Sequence, residues 1–152
     1  MKTLIIYESI HHSNTEKIAK VIAGYLNTKL CKAGKVNVNE LSEYDLIGFG
    51  SGIYFGKHHK DIFNLIDKLP TQKNKKAFIF STSGVRNGIF QLPYDFDFNR
   101  QLRKKLLKKS FDIVGKFSCR GYDTYGILKY IGGISKGRPN EHDLENARNF
   151  AR

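Results

Sequence analysis

The chain has 152 residues, 40% of them hydrophobic, which suits one globular domain over 1–152 and excludes a disordered tail. No apolar run approaches the roughly 20 residues of a membrane helix, and the opening strand pattern reaches Glu8 too early for a signal peptide, so a cytoplasmic protein without a membrane span is expected. The formal charge is +12, from 26 Lys and Arg against 14 Asp and Glu; the basic residues are scattered and no nucleic-acid motif accompanies them, so nucleic acid is not an expected partner.

Strand and helix signals alternate along the whole chain. Residues 3–7 (Thr-Leu-Ile-Ile-Tyr) are apolar on both faces, as in a buried parallel strand. A helix begins near Asn14 or Thr15, with Ile18, Val21, Ile22, Tyr25 and Leu26 on its inward stripe. A short second strand falls within 29–38, interrupted by Ala33-Gly34, and a third covers 45–50. The second helix runs from about His58 to Leu69, pointing Ile62, Leu65, Ile66 and Leu69 inward and stopping at Pro70. A fourth strand spans 77–81. A loop rich in Gly, Pro and Asp leads to a third helix over about 99–110, where Leu102, Leu106 and Leu107 recur at helical spacing and the lysines form a solvated face. The fifth strand spans 112–119. Residues 120–139 carry five glycines and no period. Asn140 caps a last helix, 141–152, with Leu144, Ala147, Phe150 and Ala151 facing in.

This order implies a doubly wound α/β protein: a five-stranded parallel sheet with helices on both faces. Ligands of such sheets bind beyond the carboxyl ends of the strands, so four segments converge on one rim. The first is Ser9, Ile10, His11, His12, Ser13, Asn14 and Thr15, where a strand turns directly onto a helix N-terminus, a ready phosphate site. It has neither the Gly-Lys-Ser/Thr of a Walker loop nor GxGxxG, which removes nucleoside triphosphates and dinucleotides. The second is Ser51, Gly52, Ile53, Tyr54, Phe55 and Gly56, aromatics between glycines, suited to stacking on a flat ring or else to plugging the core. The third is Thr82, Ser83 and Gly84. The fourth is Cys119, Arg120 and Gly121. Cys31 and Cys119 form no CxxC pair, so no metal motif is present and two buried thiols are expected. His11, His12, His58 and His59 make no convincing acid–base constellation and are compatible with facing solvent.

The run from Ile5 to Ser9 and then Asn14-Thr15-Glu16-Lys17-Ile18-Ala19 resembles the opening signature of flavodoxins, Ser/Thr-x-x-Gly-Asn-Thr followed by Ile/Val-Ala. The loop here is one residue longer, with His11-His12 inserted and Ser13 in the glycine's place. Residues 49–54, 80–84 and 117–124 match as well, and 136–144 is similar to a subgroup of short bacterial and archaeal flavodoxin-like proteins. The resemblance implies strand order 2-1-3-4-5 and FMN as cofactor, with no metal and no catalytic residue. It places the phosphate on residues 9–15, the ring between Tyr54 and the 82–84 loop, and backbone N–H groups of 119–121 at the pyrimidine edge. It implies an electron carrier between redox partner proteins, acidic ones given the charge, with a monomer as default. Lys57, His58, His59, Lys60 and Arg120 near the ring would raise its reduction potential. Residues 52–59 also resemble menaquinone-dependent protoporphyrinogen oxidase, which leaves an FMN-dependent quinone or porphyrinogen oxidoreductase as the alternative; a flavin-free basic binding module is the third.

Overall fold

The computed structural model describes residues 1–9, 13–54, 57–83, 99–121 and 137–152, with Tyr54 described for its backbone. Its elements are β1 (Thr3–Glu8), α1 (Asn14–Leu26), β2 (Lys29–Lys32), β3 (Leu46–Tyr54), β4 (Lys57–His58), α2 (Lys60–Lys68), β5 (Lys76–Ser83), α3 (Arg100–Lys108), β6 (Asp112–Arg120) and α4 (Glu141–Ala151). The parallel sheet runs β2-β1-β3-β5-β6, which is the expected 2-1-3-4-5 order once the two-residue β4, paired antiparallel to β3, is set aside.

Period-two alternation divides each central strand between two cores. Leu4, Ile6, Ile47, Phe49, Ala77 and Ile79 face α2 and α3, which supply Ile62, Leu65, Ile66, Leu102 and Leu106. Ile5, Tyr7, Phe78 and Phe80 face α1 and α4, which supply Ile18, Ala19, Ile22, Ala23 and Ala147. β3 carries Gly48 and Gly50 on this second face because the β5 rings lie over it. A Cβ on Gly50 would stand 2.2 Å from the Phe80 ring, and one on Gly48 2.2 Å from Phe78. Small residues on one strand thus make room for large ones on its neighbour.

Several expectations are corrected. Tyr25 is 47% exposed and Leu107 44% exposed; α1 packs through the short Ala19 and Ala23, which a search for large apolar side chains passes over. Cys31 and Cys119 are only partly buried. The stretch after the third strand is no loop at first: β3 continues to Tyr54 and returns as β4, making a hairpin. Between β2 and β3 lie 3-10 turns at Ala33–Lys35 and Val38–Glu43. There the buried Lys75 ammonium donates to the carbonyls of Leu41 (2.6 Å) and Tyr44, and burial lowers its pKa.

Candidate functional site

The sheet register sets the rim. Glu8 pairs with Ser51, Ser51 with Ser81 and Ser81 with Ser118, so three serines cross the sheet in one row. One step further on, Gly52, Thr82 and Cys119 form the next row.

At the β1 end, Ser9 follows the strand and Ser13 precedes α1. Ser13 sits in the left-handed region, φ 53°, and makes no side-chain cap. That conformation explains why a glycine suits this position in the signature. The first intrahelical bond runs from Lys17 N–H to Ser13 O (3.0 Å), so the N–H groups ahead of it have no partner within the helix itself. Thr15 is 1% exposed and its hydroxyl meets that of Thr82 at 2.8 Å, tying the helix start to the end of β5. Gly121 lies against Asn14, whose Nδ2 would be 2.5 Å from a Cβ there. Asn14, Thr15, Thr82, Ser83 and Gly121 are therefore one cluster.

The Ser9 hydroxyl is buried and has no hydrogen-bond partner among the described residues. Such an atom costs about 1–3 kcal/mol unless something polar meets it. Lying just after β1, in the segment that leads onto the N-terminus of α1, it fits a ligand oxygen and specifically an anionic one.

Beneath this cluster, on the α2/α3 side, lies a buried polar chain that the sequence did not reveal. His58, 3% exposed, places Nδ1 2.9 Å from the Ser51 hydroxyl and Nε2 2.7 Å from Asn99 Oδ1. Asn99 Nδ2 donates to Ser118 (2.9 Å), whose hydroxyl meets that of Ser81 at 2.7 Å. Ser51 Oγ also accepts the His59 N–H (2.9 Å) and lies 2.7 Å from the Gly52 carbonyl oxygen. Because Asn99 Oδ1 only accepts, Nε2 of His58 carries a proton. The Ser-His-Asn order has the look of a nucleophilic triad, but Ser51 is fully buried. The chain instead fastens the β3–β4 hairpin to the start of α3 and to β6. His58 is thus neither solvent-facing nor a surface cation. His59 accepts the Asp61 N–H at Nδ1 (3.0 Å) and caps α2.

Of the fourth segment, Gly121 gives its N–H to the Ser83 carbonyl (2.9 Å). That donor is spent within the sheet, and the residue's part in the rim is its close approach to Asn14. Burial, with the nearby Asp143 carboxylate, pushes the Cys119 thiol up to about 12, against the opposing effect of Arg138, so it stays a protonated packing group. Ile10, His11, His12, Phe55, Gly56, Gly84 and the Tyr54 side chain lie outside the described residues. Among the described residues no His, Cys, Asp and Glu group could hold a metal, and no helix is long and apolar enough to cross a membrane.

A doubly wound parallel sheet with this order and a ligand-ready turn after its first strand defines a flavodoxin-like protein. The family model described as "Flavodoxin domain" matches residues 4–130, and the chain belongs to the flavodoxin family. It is 54% identical, over 100% of its length and 97% of the relative's, to "Uncharacterized protein MJ0298" of Methanocaldococcus jannaschii. Its fold matches a flavodoxin from the domain Archaea with TM-score 0.68 at 17% identity, covering 99% of this chain and 94% of that one. It matches oxidised Flavodoxin 2 from Bacillus cereus with TM-score 0.70 at 20% identity, covering 99% and 95%. A rubredoxin oxygen:oxidoreductase from Desulfovibrio gigas contains the fold within a longer chain, with TM-score 0.72 at 17% identity; the match covers 99% of this chain and 34% of that one. The fold of this family implies a flavin cofactor.

Proposed function

We propose that this chain binds FMN at the rim and works as an electron carrier between redox proteins. The observation that carries this reading is the buried Ser9 hydroxyl at the end of β1, which has no hydrogen-bond partner among the described residues and stands in the segment leading onto the N-terminus of α1. A phosphate dianion answers both features, and riboflavin, which lacks it, answers neither. Ser9 would bind the phosphate with the first-turn N–H groups of α1, while the Thr15–Thr82 hydroxyl pair fixes that turn against β5. The β3–β4 hairpin offers backbone groups from Gly52 onward, and the Ser51–His58–Asn99 chain holds the hairpin in place. FMN, when bound, supplies the redox chemistry; the protein supplies binding, orientation and electrostatics.

A carrier is favoured over an oxidoreductase with its own substrate by one observation. His58, the described histidine at the heart of the hairpin, is buried with both ring nitrogens bonded to neutral groups, so it is not placed to pass a proton to a substrate.

Titration of the apoprotein with FMN, riboflavin and FAD tests the reading. FMN should bind more tightly than riboflavin by at least about tenfold, since a hydrogen bond to a charged group contributes about 1.5–3 kcal/mol. Ser9→Ala should narrow that gap. Equal affinities for FMN and riboflavin would sink the phosphate assignment. Turnover of a quinone with a porphyrinogen by the FMN-loaded protein would instead make it an enzyme.

A further inference from the structure

The cations of α3 divide into two sets. Lys105 pairs with Asp67 and lies 5.7 Å from the centre of the Phe63 ring, both residues of α2, and Lys109 donates to the Leu69 carbonyl at 2.7 Å. These bind the helix to its neighbour. Arg100, Arg103, Lys104 and Lys108 are all exposed, and none meets a carboxylate among the described residues. α3 itself carries no acidic residue in its first turn and none elsewhere in its sequence RQLRKKLLK. Arg100, Arg103, Lys104 and Leu107 stand at i, i+3, i+4 and i+7, a single stripe. Like charges at i and i+4 weaken a helix, so Arg100 followed by Lys104 does not stabilise α3. Leu107, 44% exposed, is an apolar side chain among these cations.

The helix also starts at the rim. Asn99, directly before it, bonds His58 and Ser118. At 1.5 Å per residue, the far end of this nine-residue helix is about 13 Å from that point.

The geometry points to the outward face of α3 as the docking surface for an acidic redox protein, with Leu107 as the apolar anchor and Arg100, Arg103, Lys104 and Lys108 as the surrounding charge. This rests on the electron-carrier reading and names the side from which a partner approaches. Charge complementarity identifies the occupant as polyanionic. The exposed Leu107 favours a protein over nucleic acid, because an apolar centre within a charged ring is how protein interfaces are built, and a phosphate backbone offers it nothing. α3 itself has no aromatic residue to stack a base.

The test uses the full chain with a chemically defined probe, an acidic iron–sulfur ferredoxin, and measures binding by calorimetry at low and at physiological salt. Three variants are compared: Arg103→Glu with Lys104→Glu; Leu107→Ser; and Lys29→Glu with Lys32→Glu, which makes the same charge change on β2 at the opposite edge of the sheet. The α3 double variant should weaken binding at low salt by about tenfold or more, and the β2 control by less than about twofold. Leu107→Ser should weaken binding while leaving its salt dependence unchanged. Equal loss in the α3 and β2 variants would reduce the effect to net charge and overturn the proposal. Absence of ferredoxin binding to the wild type, or tighter binding of a 20-base-pair DNA duplex through the same α3 residues, would also overturn it. Because binding is read without flavin, an intact α3 effect in a protein that fails to take up FMN would keep the surface and remove the flavin reading.

Discussion

At the scale of single residues, Ser13 records a conflict between sequence and backbone. A side-chain-bearing residue in the left-handed region costs about 1–2 kcal/mol, and Ser13 holds φ 53° with no cap bond in return. Ser13→Gly should therefore raise stability by about 0.5–1 kcal/mol, the strain relieved less the extra freedom of the unfolded glycine; urea unfolding measures it. Loss of stability on that change would mean that the serine hydroxyl is needed at this turn. Ser13 could be read as the glycine's substitute from the signature alone, whereas its φ could not. His58 is the opposite case. Its partners Ser51 and Asn99 are 7 and 41 positions away, and a lone histidine after a strand has no pattern to distinguish a buried bonding group from a surface cation. The signal that was available is compositional: serines at 51, 81 and 118, each near the end of an apolar strand, fall in one register row.

At the scale of elements, the start of α4 shows what a short motif can do. Arg138, Pro139, Asn140 and Asp143 form a closed unit. The Asn140 side chain accepts the Asp143 N–H at 3.0 Å and the Asp143 carboxylate accepts the Asn140 N–H at 2.8 Å, a reciprocal capping box. Arg138 grips the same carboxylate through Nε and Nη2. Burial alone would raise the Asp143 pKa, but the Arg138 hydrogen bond, the Asn140 N–H and the Arg138 charge outweigh it, and the net shift is downward from 3.8. A carboxyl depressed in the folded state adds stability above its unfolded pKa of about 3.9, and that stability is lost as pH falls through the lower folded value. Asp143→Asn should thus cost about 1–3 kcal/mol at pH 7 and flatten the loss of stability below about pH 4; denaturant midpoints across pH 2.5–7 give both. An acid limb unchanged by the substitution would assign the pH dependence to other carboxylates. The cap at Asn140 was legible because a side-chain acceptor before an amphipathic run has few other uses. The clamp was not, since nothing local says that an arginine two residues before a cap turns back onto it. Similarly β4, two residues long, is too short to show a period, so the hairpin read as a loop, while β1, β3 and β5 declared themselves by their apolar runs.

At the scale of the whole molecule, the doubly wound class followed from alternation, since parallel strands joined by helices leave few topologies open, while the strand order came from the flavodoxin resemblance. Its excess of cations follows no such rule and acts on stability as a whole. With 26 basic and 14 acidic residues, and carboxylates already engaged at Lys2–Glu43, Lys105–Asp67, Arg138–Asp143 and Arg148 with Glu141 and Glu145, the surplus is uncompensated repulsion in the compact state. Screening weakens it once the Debye length falls from about 30 Å at 0.01 M to about 8 Å at 0.15 M. The Tm of the apoprotein should accordingly rise over that range in sodium chloride, with most of the gain at the low end, where screening changes fastest. The surface ion pairs pull the other way, but exposed pairs contribute about 0–1 kcal/mol each, and the surplus charge outnumbers them. Reversing Arg103 and Lys104 together lowers the net charge by four, from +12 to +8, so the same double variant should show a smaller salt gain than the wild type. A wild-type Tm that falls with added salt would mean that attractive pairs outweigh the repulsion. The cation-rich surface would then be a stabilising feature of the fold, and the α3 charges would need no partner to account for them.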